Sequence, residues 1–410
     1  MRNELAEAAA ERLIRYAQVD TQADPDSATY PSTEKQLDLL RMLRDELTAL
    51  GLDVELDEHG YVFATVPATV DGEVPVIGLL AHADTSPDVS GAGVSPRRVR
   101  YDGGTIELGA GTTLGPDDSA ALADHVGHDL IVTDGTILLG ADDKAGVAEI
   151  MAAVAHLVAH PEIPHGQLRI GFNPDEEVGR GTEHFDIDRF GAVAAYTLDG
   201  STVGEIQTET FSAAEVRMVV RGRASHTGTA KGQLVNAIKL AARIVERLPD
   251  DRFSPETTEG REGFVHPLVL RGEATEVELR FIVRDFENDL LDRHVEFLRR
   301  LAGEVAAEEP RASVELTTEI QYRNMRDRLA QRPEIVERLE EAVRRVGLEP
   351  RRTSIRGGTD GSALTEKGLP TPNVYTGGQM FHSEREWICV EDMGIAAATL
   401  VELVQVWAGR

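Results

Sequence analysis

The chain has 410 residues, of which 41% are hydrophobic and 28% are charged, and its formal net charge at pH 7 is −29. A chain of this length is too long for one ordinary hydrophobic core, so we expect two domains. The large negative charge argues against nucleic acid and anionic membranes as partners. No apolar stretch reaches the ~20 residues that a membrane-spanning helix needs, and residues 1–19 lack the pattern of a signal peptide. We therefore expect a globular protein of the cytoplasm.

In chain order, the first half alternates the signals of helices and strands. Residues 1–19 and 34–50 have the periodicity of amphipathic helices, and a capping box from Thr33 to Gln36 would open the second of them. Continuous apolar runs predict buried strands at "VPVIGLLAH", "GTILLG", "QLRIGF" and "AVAAYTL". A helical stripe follows the second of these runs. This alternation predicts a three-layer α/β domain with a largely parallel sheet.

From about residue 209 the pattern changes to the order β-α-β-β-α-β, which is that of a split βαβ domain. After about residue 321 the α/β pattern resumes, with a strand at "TPNVYT" and a final helix that begins near Val390. We therefore expect a larger α/β domain formed by residues 1–208 and 322–410. A ferredoxin-like α+β domain, residues 209–321, would be inserted into it.

Acidic residues and histidines stand where the predicted strands end. They are His82 and Asp84, Asp142 and Asp143, Glu176 and Glu177, Asp199, and His382 after the last strand. Because ligands bind at the carboxyl ends of parallel strands, these side chains would meet in one crevice. Several carboxylates so close together repel one another, and two divalent cations would neutralise most of their charge. Two histidines with these carboxylates suit zinc and, less selectively, manganese or cobalt.

Each of these signals taken alone has a simpler interpretation. A His-x-Asp sequence such as His82–Asp84 is typical of a turn, and "DEEVG" of a solvated acidic turn. The N-terminus of a helix favours acids such as Asp142 and Asp143. The metal-site interpretation depends on the whole set. In that interpretation Asp142 is placed to bridge two cations about 3.5–4 Å apart.

Several long motifs occur in a fixed order: "HADTSPD", "TDGTILLGADDKAGVAEIM", "FNPDEEVGRG", "YTLDG", "HTGTAKGQLVNA", "RGGTDGSALTEKGLPTPN" and "FHSERE". Together they resemble the peptidase T branch of the M20 metallopeptidases. The resemblance implies a metallo-exopeptidase of the cytoplasm that removes the N-terminal residue of tripeptides and other short peptides. It also implies two Zn²⁺ per chain, for which Co²⁺ or Mn²⁺ could substitute, and a homodimer formed through the inserted domain.

The resemblance also implies roles for individual residues. His82 and Asp199 would hold one zinc ion, Glu177 and His382 would hold the other, and Asp142 would bridge the two. Asp84 would orient the imidazole of His82. Glu176 would be the general base that activates a water between the two zinc ions. The sequence alone leaves open whether Glu176 or Glu177 is the ligand.

Four further residues are implied to act from the inserted domain and near it. His226 in "ASHTG" would reach from the partner subunit and donate a hydrogen bond to the oxyanion of the tetrahedral intermediate. Arg284, Arg356 and, more weakly, Asn236 would bind the carboxylate end of the peptide. Two other functions stay open: a deacylase of N-acyl amino acids with the same two-metal site, and a peptide-binding scaffold without activity. No acceptor for the free amine of the substrate can be named.

Overall fold

The computed structural model describes residues 1–249 and 251–410. The chain forms two units. The first unit consists of Met1–Thr208, Asp327–Thr353 and Thr359–Arg410, and the second of Glu209–Arg326 and Ser354–Gly358. The inserted domain expected from the sequence spans residues 209–321, whereas the second unit continues to Arg326 and also includes Ser354–Gly358.

The two units are built from helices and strands that are numbered here along the whole chain. The helices are α1 (Arg2–Ala17), α2 (Gln36–Ala49), α3 (Ala141–Ala159), α4 (Ile187–Phe190), α5 (Ala237–Glu246), α6 (Asn288–Glu308), α7 (Arg326–Leu329), α8 (Pro333–Arg345), α9 (Asp360–Lys367) and α10 (Val390–Trp407). The first strands are β1 (Asp53–Leu56), β2 (Val62–Val66), β3 (Ile77–His82), β4 (Arg97–Arg100), β5 (Ile106–Gly109), β6 (Thr112–Leu114), β7 (Asp129–Val132), β8 (Leu168–Asn173) and β9 (Ala194–Gly200). The later strands are β10 (Glu205–Thr210), β11 (Ser212–Arg221), β12 (Phe264–Gly272), β13 (Glu276–Asp285), β14 (Ser313–Tyr322), β15 (Arg351–Ile355), β16 (Asn373–Tyr375), β17 (Gly378–Gln379) and β18 (Trp387–Cys389).

An eight-stranded sheet forms the middle of the first unit, in the order β1-β2-β8-β3-β9-β16-β10-β15. The four central strands β8, β3, β9 and β16 are parallel to one another. On the two sides of this centre, β2 and β10 pair antiparallel with it. The sheet is therefore mixed, and only its centre has the parallel arrangement that the sequence predicts for most of it.

Both faces of this sheet are buried, so the first unit has three layers. Along β3 successive side chains point to opposite faces, and Leu79 packs in a core with residues of α1, α3 and α10. Leu80 packs on the other face with Phe63 and Phe190. Helix α3 packs directly against β9 at Gly146. A Cβ atom at this position would lie only 2.1 Å from the carbonyl oxygen of Leu198, so only glycine allows this close approach.

The second unit contains β11, α5, β12, β13, α6 and β14 in this chain order. Its sheet has the order β12-β13-β11-β14 with antiparallel neighbours, and side chains of α5 and α6 complete its core. This is the ferredoxin-like arrangement. The predicted fold class, an α/β domain with an inserted α+β domain, is confirmed. In the part of the chain that the structure describes, no helix is both long enough and apolar enough to cross a membrane.

Two local predictions are wrong. Residues 135–140, "GTILLG", are not a strand, because the N–H groups of Leu139 and Gly140 donate to the carboxylate of Glu386 instead of to a neighbouring strand. The capping box before α2 is also not formed. The hydroxyl of Thr33 donates to the carbonyl of Gln22, so it does not cap the helix.

Candidate metal centre

The predicted metal ligands come from five segments of the first unit. Strand β3 ends at His82, and the neighbouring strand β9 contains Asp199. Asp142 stands in the first turn of α3, Glu177 in the turn after β8, and His382 in the loop after β17. The expectation that each candidate directly follows a strand is wrong for Asp142, because a loop and not a strand precedes α3.

The carboxylate of Asp142 lies between two imidazoles. Its Oδ1 is 3.2 Å from Nε2 of His82, and its Oδ2 is 3.2 Å from Nε2 of His382. The same nitrogen of His82 is 3.8 Å from Oδ1 of Asp199, and that of His382 is 3.0 Å from Oε2 of Glu177. Each oxygen of Asp142 thus faces a different group of donors, as a carboxylate that bridges two cations must.

Asp84 connects the two glutamates to His82 and is fully buried. Its Oδ1 lies 3.2 Å from Nδ1 of His82 and accepts the N–H of Glu176 at 3.0 Å. Its Oδ2 accepts the N–H of Glu177 at 3.1 Å. Nδ1 of His82 also lies 3.2 Å from the main-chain carbonyl of Asp84. The two acceptors of Asp84 fix the orientation of the ring and leave Nε2 of the neutral imidazole free to coordinate a metal.

The site needs positive charge. Burial raises the pKa of Glu177 to about 7, with Asp142 adding to this effect, and burial also raises the pKa of Asp199 well above its ordinary value. Hydrogen bonds to Asp142 and Glu177 raise the pKa of His382 to about 11. Burial alone would raise the pKa of Asp142, but the two histidines outweigh it and hold that pKa below its ordinary value. Without a cation, protons supply the charge that balances these carboxylates.

The residues present fit divalent cations. The Oε1 atom of Glu177 is buried and, among the described residues, has no hydrogen-bond partner. Two groups of three residues each have their ligand atoms within 4.8 Å of one another. One group is His82, Asp142 and Glu177, and the other is His82, Asp143 and Asp199. Imidazole nitrogens combined with carboxylate oxygens are donors that Zn²⁺, Co²⁺ and Mn²⁺ accept.

Glu176 stands beside these groups and is not a member of either. Its Oε2 is 4.0 Å from Nε2 of His82, and its side chain is 15% exposed. Burial raises the pKa of Glu176 well above its ordinary value, so this carboxyl group readily holds a proton. Of the two adjacent glutamates, Glu177 is the one in contact with His382.

Comparison with known proteins relates this geometry to a family. The sequence pattern of peptidase family M20/M25/M40 matches residues 130–406. The chain is 47% identical to peptidase T of Geobacillus kaustophilus over 97% of both chains, and 47% identical to peptidase T of Shouchella clausii over 98% of both. The chain belongs to peptidase family M20/M25/M40. The resemblance seen in the sequence motifs is thereby confirmed.

Solved structures share the fold of this M20 chain along its whole length. The crystal structure of aminopeptidase PepT from Bacillus cereus matches it with a TM-score of 0.76 and 25% identity over 99% of both chains. A tripeptidase from Staphylococcus aureus also gives a TM-score of 0.76, at 22% identity over 99% of both chains, and shows the fold alone.

Sequence reasoning did not identify Glu386, a buried carboxylate that contacts the segment before Asp142. Glu386 is 1% exposed, and its Oε2 accepts the N–H groups of Leu139 at 2.8 Å and Gly140 at 2.7 Å. Its Oε1 accepts the N–H of Asp142 at 2.9 Å. Burial raises the pKa of Glu386 to about 7. The available signal was its position in "FHSERE", four residues after His382, but an acid there is also typical of an exposed turn.

Two predicted residues of the second unit have local roles that are visible in the structure. His226 is exposed, and its Nδ1 accepts the N–H of Gly228 at 3.2 Å. The side chain of Asn236 accepts the N–H of Lys239 at 3.2 Å and so caps the N-terminus of α5. Helix α5 therefore uses the amide oxygen of Asn236 for its own structure.

The two predicted arginines both donate to main-chain carbonyl groups of the second unit. Arg284 donates to the carbonyl of Val283 at 3.0 Å. Arg356 donates to the carbonyls of Gly260 at 2.8 Å and Glu262 at 2.9 Å. Binding of a peptide carboxylate stays a prediction for both.

Proposed function

We propose that this chain is a metal-dependent aminopeptidase that removes the N-terminal residue of tripeptides. The observation that carries the proposal is the position of Asp142, with one carboxylate oxygen at His82 and the other at His382. Full-length identity of 47% to proteins named peptidase T supports the choice of substrate. Residence in the cytoplasm stays a prediction.

The cations would be two Zn²⁺, with Co²⁺ or Mn²⁺ as substitutes, and Asp142 would be a ligand of both. His82 and Asp199 would hold one cation, and Glu177 and His382 the other, in agreement with the contacts between these side chains. When bound, such a pair polarises the scissile carbonyl and lowers the pKa of water at the site.

Glu176 would move the proton of the reaction. Asp84 fixes its main chain next to His82, and its side chain keeps some access to solvent. The Glu176 carboxylate would accept a proton from the attacking water and then donate it to the nitrogen of the leaving amine. A carboxyl group whose pKa is raised is suited to both steps, because it holds the proton between them.

His226 would stabilise the oxyanion that forms when water attacks. Its Nδ1 accepts the N–H of Gly228, so in the neutral imidazole the proton is on Nε2, which can donate to a negatively charged oxygen. We assign this residue to the partner subunit of a homodimer. The exposed side chains of Leu268 and Leu270 on β12, an edge strand of the second unit, support a subunit contact there.

Shared use of His226 can be tested by mixing inactive chains. Heterodimers of His226→Ala and Glu176→Ala chains should recover activity that neither homodimer has, because one composite site then contains both residues. Proven heterodimers that stay inactive would contradict the assignment. Arg284, Arg356 and Asn236 would contact the carboxylate end of the peptide, and a rise in KM for tripeptides on their substitution would support this.

The activity itself is tested by comparing substrates on the metal-loaded protein. Tripeptides should be hydrolysed, the activity should be lost with a chelator, and it should return with Zn²⁺ or Co²⁺. Glu176→Gln should lower kcat by about 10²–10⁴-fold without loss of metal. The matched control is Glu183→Gln, because Glu183 pairs with Arg180 at the surface. Faster turnover of N-acetyl or N-succinyl amino acids than of tripeptides would identify a deacylase instead.

A further inference from the structure

A second cluster of side chains that can ligate a metal lies in the first unit, and it shares no residue with the candidate metal centre described above. The 3₁₀ turn Ala120–His125 ends on His125, and Cys389 ends β18 just before α10. The ligand atoms of His125, Cys389 and Asp392 lie within 4.8 Å of one another, and so do those of His128, Cys389 and Glu391. The thiol of Cys389 belongs to both groups.

The chain supplies these donors as two short pairs. His125 and His128 are separated by two residues, and so are Cys389 and Asp392. Strand β18 pairs antiparallel with β7, with Cys389 opposite Leu130, and this register brings the two pairs together. Ligand pairs with two intervening residues are common in zinc sites.

The tautomer of His125 directs a lone pair into the cluster. Its Nδ1 donates to the carbonyl of Ala121 at 2.7 Å, so the remaining nitrogen, Nε2, is the one that lies 2.8 Å from Oδ2 of Asp392. In the neutral imidazole two acceptors would then face each other. Either a proton or a cation must lie between them. The side chains of His125 and Asp392 are only 12% and 10% exposed.

The other donors have few partners, one of which is the N–H of Asp129, which donates to Oε2 of Glu391 at 3.2 Å. Cys389 is fully buried, and its thiol lies 3.4 Å from Oε2 of Glu391. Nδ1 of His128 is buried and has no hydrogen-bond partner within the described chain. Among the described residues, neither Glu391 nor Asp392 forms an ion pair with a lysine or an arginine. The cluster therefore contains buried nitrogen, sulfur and oxygen donors and lacks a fixed cation.

We propose that His125, Cys389 and Asp392 bind one divalent cation of the zinc type. One thiolate, one imidazole and one carboxylate provide three of the four positions that zinc prefers. Binding releases one proton from the Cys389 thiol and the proton held between His125 and Asp392. The cation joins the segment before β7 to the start of α10. This proposal does not depend on the proposed peptidase activity.

Cobalt substitution gives a direct test, because Cys389 is the only cysteine of the chain. The metal-free full-length protein is loaded with Co²⁺, and its near-ultraviolet and visible spectra are recorded. We expect a thiolate-to-cobalt charge-transfer band, which ligands with only nitrogen and oxygen donors cannot produce. Cys389→Ser should lose this band and one cation per chain and keep its peptidase activity.

A pair of histidine variants refines the test. His125→Gln should weaken the band, whereas the matched control His160→Gln should not, because the side chain of His160 is 45% exposed and pairs with Glu162 outside the cluster. Zn²⁺ should displace Co²⁺ and abolish the band. The absence of any charge-transfer band in the wild-type chain at saturating Co²⁺ would overturn the proposal, whether or not the variants fold.

Discussion

Replacement of Asp84 by asparagine tests how the candidate centre is held in shape. The carboxylate faces three donors, which are Nδ1 of His82 and the N–H groups of Glu176 and Glu177. An asparagine has one acceptor oxygen, and its NH₂ group must face at least one of these donors. A buried donor without a partner costs about 1–3 kcal/mol. At about 1.4 kcal/mol for each factor of ten, we expect a loss of about 5- to 150-fold.

The loss should appear in two measurements. Reactivation of the metal-free protein by Zn²⁺ should require a higher free metal concentration, because Nδ1 of His82 then keeps only the main-chain carbonyl of residue 84 as an acceptor. The value of kcat/KM for a tripeptide at saturating metal should also fall, because Glu176 is displaced. The matched control is Asp57→Asn, since Oδ1 of Asp57 accepts two main-chain N–H groups and an amide keeps that oxygen. If Asp84→Asn matched this control in both measurements, the assigned role of Asp84 would be wrong.

Three further changes test other parts of the account. Glu386→Gln should raise the Zn²⁺ concentration needed for activity by about 10–100-fold. The reason is that an amide cannot accept hydrogen bonds from all three N–H groups that hold the segment before Asp142 in place. Unchanged metal affinity would contradict this role of Glu386. Gly146→Val should lower the free energy of unfolding, measured by urea titration, by about 1–3 kcal/mol, because the added atoms collide with the carbonyl of Leu198. A variant as stable as the wild type would show that α3 can move away from β9. Burial opposes protonation of His125, but the hydrogen bond to Asp392 outweighs it and raises the pKa of His125. In chelator-treated protein the contact between His125 and Asp392 therefore stabilises the fold fully below about pH 6.5, and it stabilises the fold less as the pH rises through the raised pKa. The destabilisation by His125→Gln, measured by thermal unfolding, should therefore be larger at acidic than at alkaline pH, and a gap that grows with pH would refute the assignment.

The sequence predicted the fold well because hydrophobic periodicity is a local signal. The apolar run that ends at His82 is a buried strand, and the change of pattern near residue 209 marks the second unit. "GTILLG" failed for a physical reason. A run of apolar residues shows that a segment is buried, but it does not show which group accepts its N–H bonds, and here that group is Glu386, more than two hundred residues away.

The candidate site was predictable in its residue types and less so in its geometry. Acids and histidines near strand ends indicated that they meet, and the side chains of His82, Asp142 and His382 do so. His82 and His382 contact different oxygens of the Asp142 carboxylate. This arrangement depends on packing between distant segments, which the spacing of residues along the chain does not predict. For the same reason, no pattern along the chain indicated that Cys389, which has apolar neighbours in the sequence, lies near two histidines.

The most direct test of the account is anomalous diffraction from crystals of the zinc-loaded protein. We expect two neighbouring peaks with Asp142 between them, one within bonding distance of His82 and Asp199 and the other within bonding distance of His382 and Glu177. A single peak would contradict the central claim, and so would two peaks that do not share Asp142 as a ligand.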